Sequence, residues 1–267
     1  MKLHHVIVAA LWLTACATTP EPPVAKERPE FGVLWVEHAA EYQAVSRQIY
    51  AQAQRDLPRL LDDTDRSALP GQDALAGKPP AVIFDVDETV VSNADYQATL
   101  AIEPYTRWRH FSWMRGHRAV PVPGAAAMVE AARDAGVAVF FVTNRACERF
   151  DGVDGDCPYE QVTIEDLAEV GIDTDPEHVL MAWERPGWDK EKLSRREFVA
   201  ESYRVIMLFG DDFGDFVACT RVKPLPPCTQ PATRASRHAA LETYAGYWGN
   251  GWYILPNPMH GSWTTVR

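Results

Sequence analysis

Apolar positions along this chain come in two rhythms. Over 33–55, Leu34, Val36, Ala40, Tyr42, Val45, Ile49 and Tyr50 recur among polar residues, and this spacing predicts an amphipathic helix. Residues 62–80 lose the period, carry Pro and Gly, and read as a loop. Ala81-Val82-Ile83-Phe84 is an unbroken apolar run that stops abruptly at charge, as in a strand buried on both faces. The runs at 137–142, 179–181, 205–209 and 252–255 have the same character. Helical stretches separate them. One opens at Pro123-Gly124 and runs through Met128, Val129 and Ala132 to Gly136. A second is expected to be capped by Thr163 with Asp166 three residues later, ending at Val170. Residues 191–201 and 234–246 supply two more. No internal repeat is present. Strands alternating with helices predict an α/β fold built on a doubly wound parallel sheet. In such sheets ligands bind beyond the carboxyl ends of the strands.

The residues that follow each strand are therefore informative. After 81–84 comes Asp85-Val86-Asp87-Glu88-Thr89, after 137–142 comes Thr143-Asn144-Arg145, and after 205–209 comes Gly210-Asp211-Asp212-Phe213-Gly214-Asp215. Any one of these is an ordinary polar turn or cap, since Asp, Thr and Asn favour both. Three in order, each behind a buried strand, bring Asp85, Asp87, Asp211 and Asp215 to one edge. Two carboxylates about 4 Å apart repel by about 4 kcal/mol at an effective dielectric of 20. A hard divalent cation with oxygen ligands relieves that repulsion, and Mg²⁺ is the usual candidate.

The chain has 267 residues, 46% of them hydrophobic, which excludes a wholly disordered protein. Its formal charge of -11 argues against binding nucleic-acid polymers or an anionic membrane surface, both of which need a basic face. The first sixteen residues have a basic start, an apolar run too short to span a bilayer, and Leu13-Thr14-Ala15-Cys16. This resembles a bacterial lipoprotein signal in which Cys16 is lipidated; an ordinary secretory signal is the alternative. Residues 1–15 then form a signal peptide, 16–30 a Pro-rich tether, and 31–267 the folded domain. Ala17 after the cysteine matches sorting to the outer membrane of a Gram-negative bacterium. The remaining Cys147, Cys157, Cys219 and Cys228 suggest disulfides in an exported protein, with three pairings open. The local pairs would close short loops. A zinc site is disfavoured because no C-x-x-C is present.

The stretches IFDVDETVVSNADYQ (83–97), PVPGA (121–125), VFFVTNR (139–145), LFGDDFGDF (208–216) and ILPNPMHGSW (254–263) together resemble the haloacid dehalogenase superfamily. More narrowly they resemble the class B/class C acid phosphatases, and within these the bacterial lipoprotein (class C) enzymes and 5'-nucleotidases. The resemblance implies a metal held by the Asp85 carboxylate, the Asp87 backbone carbonyl and Asp211, with Asp215 bound directly or through water. It also implies a phosphomonoesterase in which Asp85 is the nucleophile and Asp87 the acid and base. Thr143 and a lysine would then hold the phosphoryl oxygens. Of the two lysines in Asp189-Lys190-Glu191-Lys192, Lys190 is favoured at the start of the helix, and Lys192 is expected on a solvated face. Asn144 is expected near substrate.

The insertion at about 90–120 is expected to form a small helical cap together with the 33–55 helix. Its aromatics are mostly packing residues, with Tyr96 and Trp113 the leading substrate contacts. His260 stands where the family often has Tyr, so an aromatic stacking role is not carried over to that position from the resemblance. Nucleoside monophosphates or other small organic phosphates are the expected substrates, and a homo-oligomer is compatible with the sequence. Two other functions fit the same scaffold: a phosphotransferase, and a surface lipoprotein that captures ligands with vestigial chemistry.

Overall fold

The computed structural model describes residues 30–116 and 120–266. The expected signal peptide, the tether and Cys16 lie outside the described residues.

The apolar runs become the strands of one parallel sheet. They are β1 (Pro80–Phe84), β4 (Ala138–Ala146), β5 (Val179–Ala182), β6 (Arg204–Gly210) and β7 (Trp252–Ile254). β2 (Val91–Ser92) and β3 (Val120–Pro121) pair separately as an antiparallel ribbon. The sheet order is β5-β4-β1-β6-β7, so β1 is central, with β4 and β5 added on one side of it and β6 and β7 on the other. Successive strand residues serve opposite layers, which is why both faces had to be apolar. Val82, Phe84, Val139, Phe141, Met207 and Phe209 pack on one side, and Ala81, Ile83, Phe140, Val142, Val205 and Leu208 on the other.

The first side is covered by α2 (Ala40–Asp62), α5 (Ala125–Asp134) and α6 (Pro158–Glu169). The opposite side takes α7 (Leu193–Ser202), the residues around Phe213–Val217, and part of α8 (Arg234–Thr243). The expected 33–55 helix is in fact two: α1 (Glu30–His38) and α2 meet at Ala39, whose backbone is extended. Most of α2 belongs to the core rather than to a cap. Tyr42, Ser46, Tyr50, Ala53, Leu57 and Leu60 form its buried stripe, and Tyr50 stacks on Phe209 at 5.6 Å between ring centroids. Its length allows both α1 contact at one end and sheet contact at the other. Thr163 and Asp166 do not cap a helix. α6 begins earlier, with Pro158 in its first turn, and both residues are buried inside it because they bind a buried arginine described below.

The β2–β3 ribbon carries α3 (Ala94–Thr99) and α4 (Arg107–Met114) between its strands. These two short helices form the small cap. Gly124 ends the ribbon in the left-handed region (φ 99°), and a Cβ there would meet Tyr50 Cβ at 3.0 Å and its ring at 3.1 Å. Both local disulfides form, Cys147–Cys157 and Cys219–Cys228. Among the described residues no helix is long and apolar enough to cross a membrane.

Gly210, the last residue of β6, has no room for a side chain. A Cβ would lie 2.3 Å from Asp215 Oδ2 and 2.4 Å from Asp215 Cβ. Gly210→Ala should therefore cost about 1–3 kcal/mol and displace Asp215. Denaturant unfolding of the variant at unchanged m-value measures the first; a variant as stable as the parent would refute the close approach.

Candidate active site

β1 delivers Asp85 to the carboxyl edge, where its N–H still donates to the Phe209 carbonyl (2.9 Å) and so fixes its direction. β6 delivers Asp211 and Asp215 beside it. Carboxylate oxygens of Asp85, Asp211 and Asp215 all lie within 4.8 Å of one another. One cation is set into this cluster. Lys192 Nζ is 2.5 Å from Asp85 Oδ1 and 2.7 Å from Asp215 Oδ1, and its side chain is buried. The expectation for the two lysines is thus reversed. α7 begins at Leu193 rather than at 191, because Asp189 Oδ1 accepts the Glu191 N–H (2.7 Å) and folds the preceding segment into a turn. That turn aims Lys192 inward, while Lys190 sits partly exposed over the Trp183 ring.

Burial pushes the Asp85 carboxyl up to about 7, with Lys192 opposing and the Asp215 and Asp87 charges adding to the rise. Burial also pushes Asp211 well above the ordinary carboxylate range, reinforced by Asp215 and Asp85. Burial alone would lower Lys192, but Asp215 and Asp85 outweigh it and raise it. One ammonium against three carboxylates leaves a negative excess. An oxygen-lined site of this charge suits a hard cation.

Asp87 has a different environment. Arg145 reaches it with a fork, Nη2 to Oδ1 at 2.8 Å and Nε to Oδ2 at 3.2 Å, and the Asn93 amide donates to Oδ1 at 2.6 Å. Burial would raise Asp87, but the Arg145 charge and its hydrogen bonds hold it below the ordinary carboxylate range. Arg145 is itself buried, and its Nη1 donates to Thr163 Oγ1 and Asp166 Oδ2, both at 3.1 Å. These two contacts explain the polar residues buried inside α6.

Thr143 is buried at the same edge, its Oγ1 accepting the Arg145 N–H at 3.1 Å. Asn144 Oδ1 accepts from Arg195 Nη2 at 2.9 Å, and Asn144 lines the neighbouring cleft. β4 continues through Thr143, Asn144 and Arg145, four residues past the expected end, because each of these polar groups finds a partner. Two more groups brace the cluster. Asn257 Nδ2 donates to Asp211 Oδ2 (2.7 Å), and Asp212 accepts from the Gly214 N–H and the Ser262 hydroxyl, both at 2.8 Å.

The cleft has a volume of about 360 Å³ and reaches Asp87, Asn144 and Arg145. Tyr96 lines it from the cap, buried beside His110 at 4.8 Å. Trp113 does not line it: the indole is buried against Tyr96 and His110, at 5.5 and 6.1 Å, and serves as cap packing. Tyr105, Tyr159, Trp183 and His260 line it instead. His260 Nε2 lies 2.8 Å from Glu88 Oε2, so the imidazole is tied to Glu88 at the cleft wall.

Residues 31–263 match the family described as HAD superfamily, subfamily IIIB (acid phosphatase). The chain belongs to this acid phosphatase family. The fold agrees with that of the class C acid phosphatase from Bacillus anthracis, at 26% identity and a TM-score of 0.69, over 87% of this chain and 85% of that one. A second crystal structure of the class C enzyme from Bacillus anthracis, with tungstate bound, matches at the same identity and TM-score. This acid phosphatase is a phosphomonoesterase, and its Asp85–Asp211–Asp215 group is able to hold a metal ion.

The raised carboxylates set a pH dependence. Asp85 titrates near 7 in the folded metal-free protein, against an ordinary value of 3.8. The folded state therefore keeps a proton that the unfolded chain releases. The associated stability is complete below about pH 4 and is lost as the pH rises through about 7. EDTA-treated protein should melt at a higher temperature at pH 5 than at pH 8. A divalent cation should raise Tm more at pH 8. A thermal melt with equal Tm at both pH values would contradict this.

Proposed function

We propose that this acid phosphatase hydrolyses small phosphomonoesters through an aspartyl-phosphate on Asp85, with Mg²⁺ held by Asp85, Asp211, Asp215 and the Asp87 carbonyl. The observation that carries the reading is Lys192, a buried cation in contact with both Asp85 and Asp215. It holds Asp85 in place and provides positive charge where phosphoryl oxygens would gather. The bound cation would supply further charge neutralisation at the phosphoryl group.

An Asp85 oxygen attacks the phosphorus in line, and the ester P–O bond breaks. Asp87 gives its proton to the departing oxygen. Asp87 then takes a proton from water, which attacks the same phosphorus, releases inorganic phosphate and restores Asp85. Thr143 holds a phosphoryl oxygen. Asn144 and Tyr96 shape the adjoining cleft. Arg145 gives this scheme a pH preference. It favours ionised Asp87, so the protonated form needed to start the reaction becomes abundant only in acid.

The tungstate bound by the Bacillus anthracis relative is an oxyanion of phosphate-like shape, and supports recognition of a phosphate group by this chain. We place the enzyme outside the cytoplasm, tethered through lipidated Cys16 at the outer membrane of a Gram-negative cell. The two disulfides support an oxidising compartment.

Asp85→Asn should lower p-nitrophenyl phosphate hydrolysis by at least about 10³-fold while the protein stays folded. EDTA should abolish the activity of the parent and Mg²⁺ restore it. Turnover by folded Asp85→Asn protein would overturn the mechanism; full activity in excess EDTA would overturn the metal requirement.

A further inference from the structure

The cleft beside the active site has two electrostatic ends. At the inner end each carboxylate is matched: Asp87 by Arg145 and Glu88 by His260. At the outer end stand Arg107, Trp183 and Lys190, contributed by the cap, by the residue after β5, and by the turn before α7. Here positive charge is in excess. Arg107 already holds Glu148 at 2.7 Å, whereas Lys190 makes no ion pair among the described residues. Partial burial and the nearby charges of Arg221 and Arg107 lower the Lys190 pKa, and Glu148 offsets them only in part. A cation kept among other cations beside a cleft gains from an anion.

Trp183 brings the two cations together. The Arg107 guanidinium and the Lys190 ammonium each lie 5.7 Å from its ring centroid. The Trp183 backbone is left-handed (φ 63°), an uncommon conformation for a bulky residue, and its N–H donates to the Trp188 carbonyl at 2.7 Å. The turn thus holds a half-exposed indole at the cleft rim against its local preference. With cations near its ring, the indole serves as their platform. In a chain of formal charge -11, a concentration of positive charge at one end of the substrate cleft is a selective feature.

We propose that Trp183, Lys190 and Arg107 form a second-anion subsite, and that the preferred substrates are phosphomonoesters carrying a second phosphate remote from the one cleaved. This rests on the cleft being the substrate site of the proposed hydrolase. Lys190 contacts the remote phosphate, and Trp183 positions Lys190 and Arg107.

Calorimetry on the full chain, with divalent cation chelated so that no ligand is consumed, compares adenosine 3′,5′-bisphosphate with adenosine 5′-monophosphate. The two share every group except the second phosphate. The bisphosphate should bind about tenfold more tightly, the weight of one charge-assisted hydrogen bond. Lys190→Met should bring the two affinities to within about twofold, and Lys190→Arg should retain the preference. In the Mg²⁺ enzyme, the ratio of kcat/KM for the two ligands should move in the same direction. Equal affinities in the parent, or a preference that survives Lys190→Met, would overturn the subsite. Equal affinities in a protein that hydrolyses p-nitrophenyl phosphate leave the hydrolase reading standing. A bisphosphate preference in a protein that cleaves no ester supports the subsite and overturns the hydrolase reading.

Discussion

Three carboxylates crowded at the ends of two neighbouring parallel strands are the constraint to which the rest of this molecule answers. Asp85, Asp211 and Asp215 place oxygens within 4.8 Å of one another. At such distances each ionised pair repels by several kcal/mol even at an effective dielectric of 20, about 4 kcal/mol at 4 Å. A flexible chain would separate them. The parallel pairing of β1 with β6 prevents it, because both strands are buried and their registers are set by packing on two faces. Lys192 offsets part of the repulsion, and the remaining excess is what a divalent cation would neutralise.

Around this cluster the structure is held by buried arginines. Arg195 donates to the carbonyls of Thr143 and Asp189 and to the Asn144 side chain, tying the end of β4 to the turn that carries Lys192. Arg196 donates to the Gly214 and Asp215 carbonyls and fixes the Asp215 loop from behind. Arg145 joins Asp87 to α6 through Asp166. Each guanidinium is always charged and carries five donors, so it can satisfy several acceptors from a buried position. The disulfides brace the same neighbourhood. Cys147 lies two residues past Arg145, and the Cys219 N–H donates to Glu191, the residue before Lys192.

Much of the fold was legible in the sequence. Unbroken apolar runs can be satisfied only by burial on both faces, which implies a parallel sheet covered by helices. The placement of Asp85, Asp87, Asp211 and Asp215 followed, since all four lie in the short polar segments that follow two such runs. What proved misleading was local polar chemistry. Thr163 and Asp166 have the spacing of a cap, yet a buried arginine from β4 claims both. Trp113 and Trp183 are both tryptophans near the cleft in space, but only Trp183 lines it. No sequence period distinguishes them, because the difference lies in how the cap and the turn after β5 pack.

Lys190 and Lys192 make the division plain. The sequence, through its family resemblance, implied a lysine of the 189–192 segment at the edge that carries the carboxylates. Only the tertiary structure decided which one. A two-residue shift in the start of α7, set by the Asp189–Glu191 turn, directs Lys192 into the carboxylates and Lys190 to the cleft rim. Strand positions and strand-end carboxylates follow from burial patterns that a short window already contains. The partners of the buried lysine and arginines do not. They come from elements far apart in sequence, and only the packing of the sheet and helices brings those elements to one place.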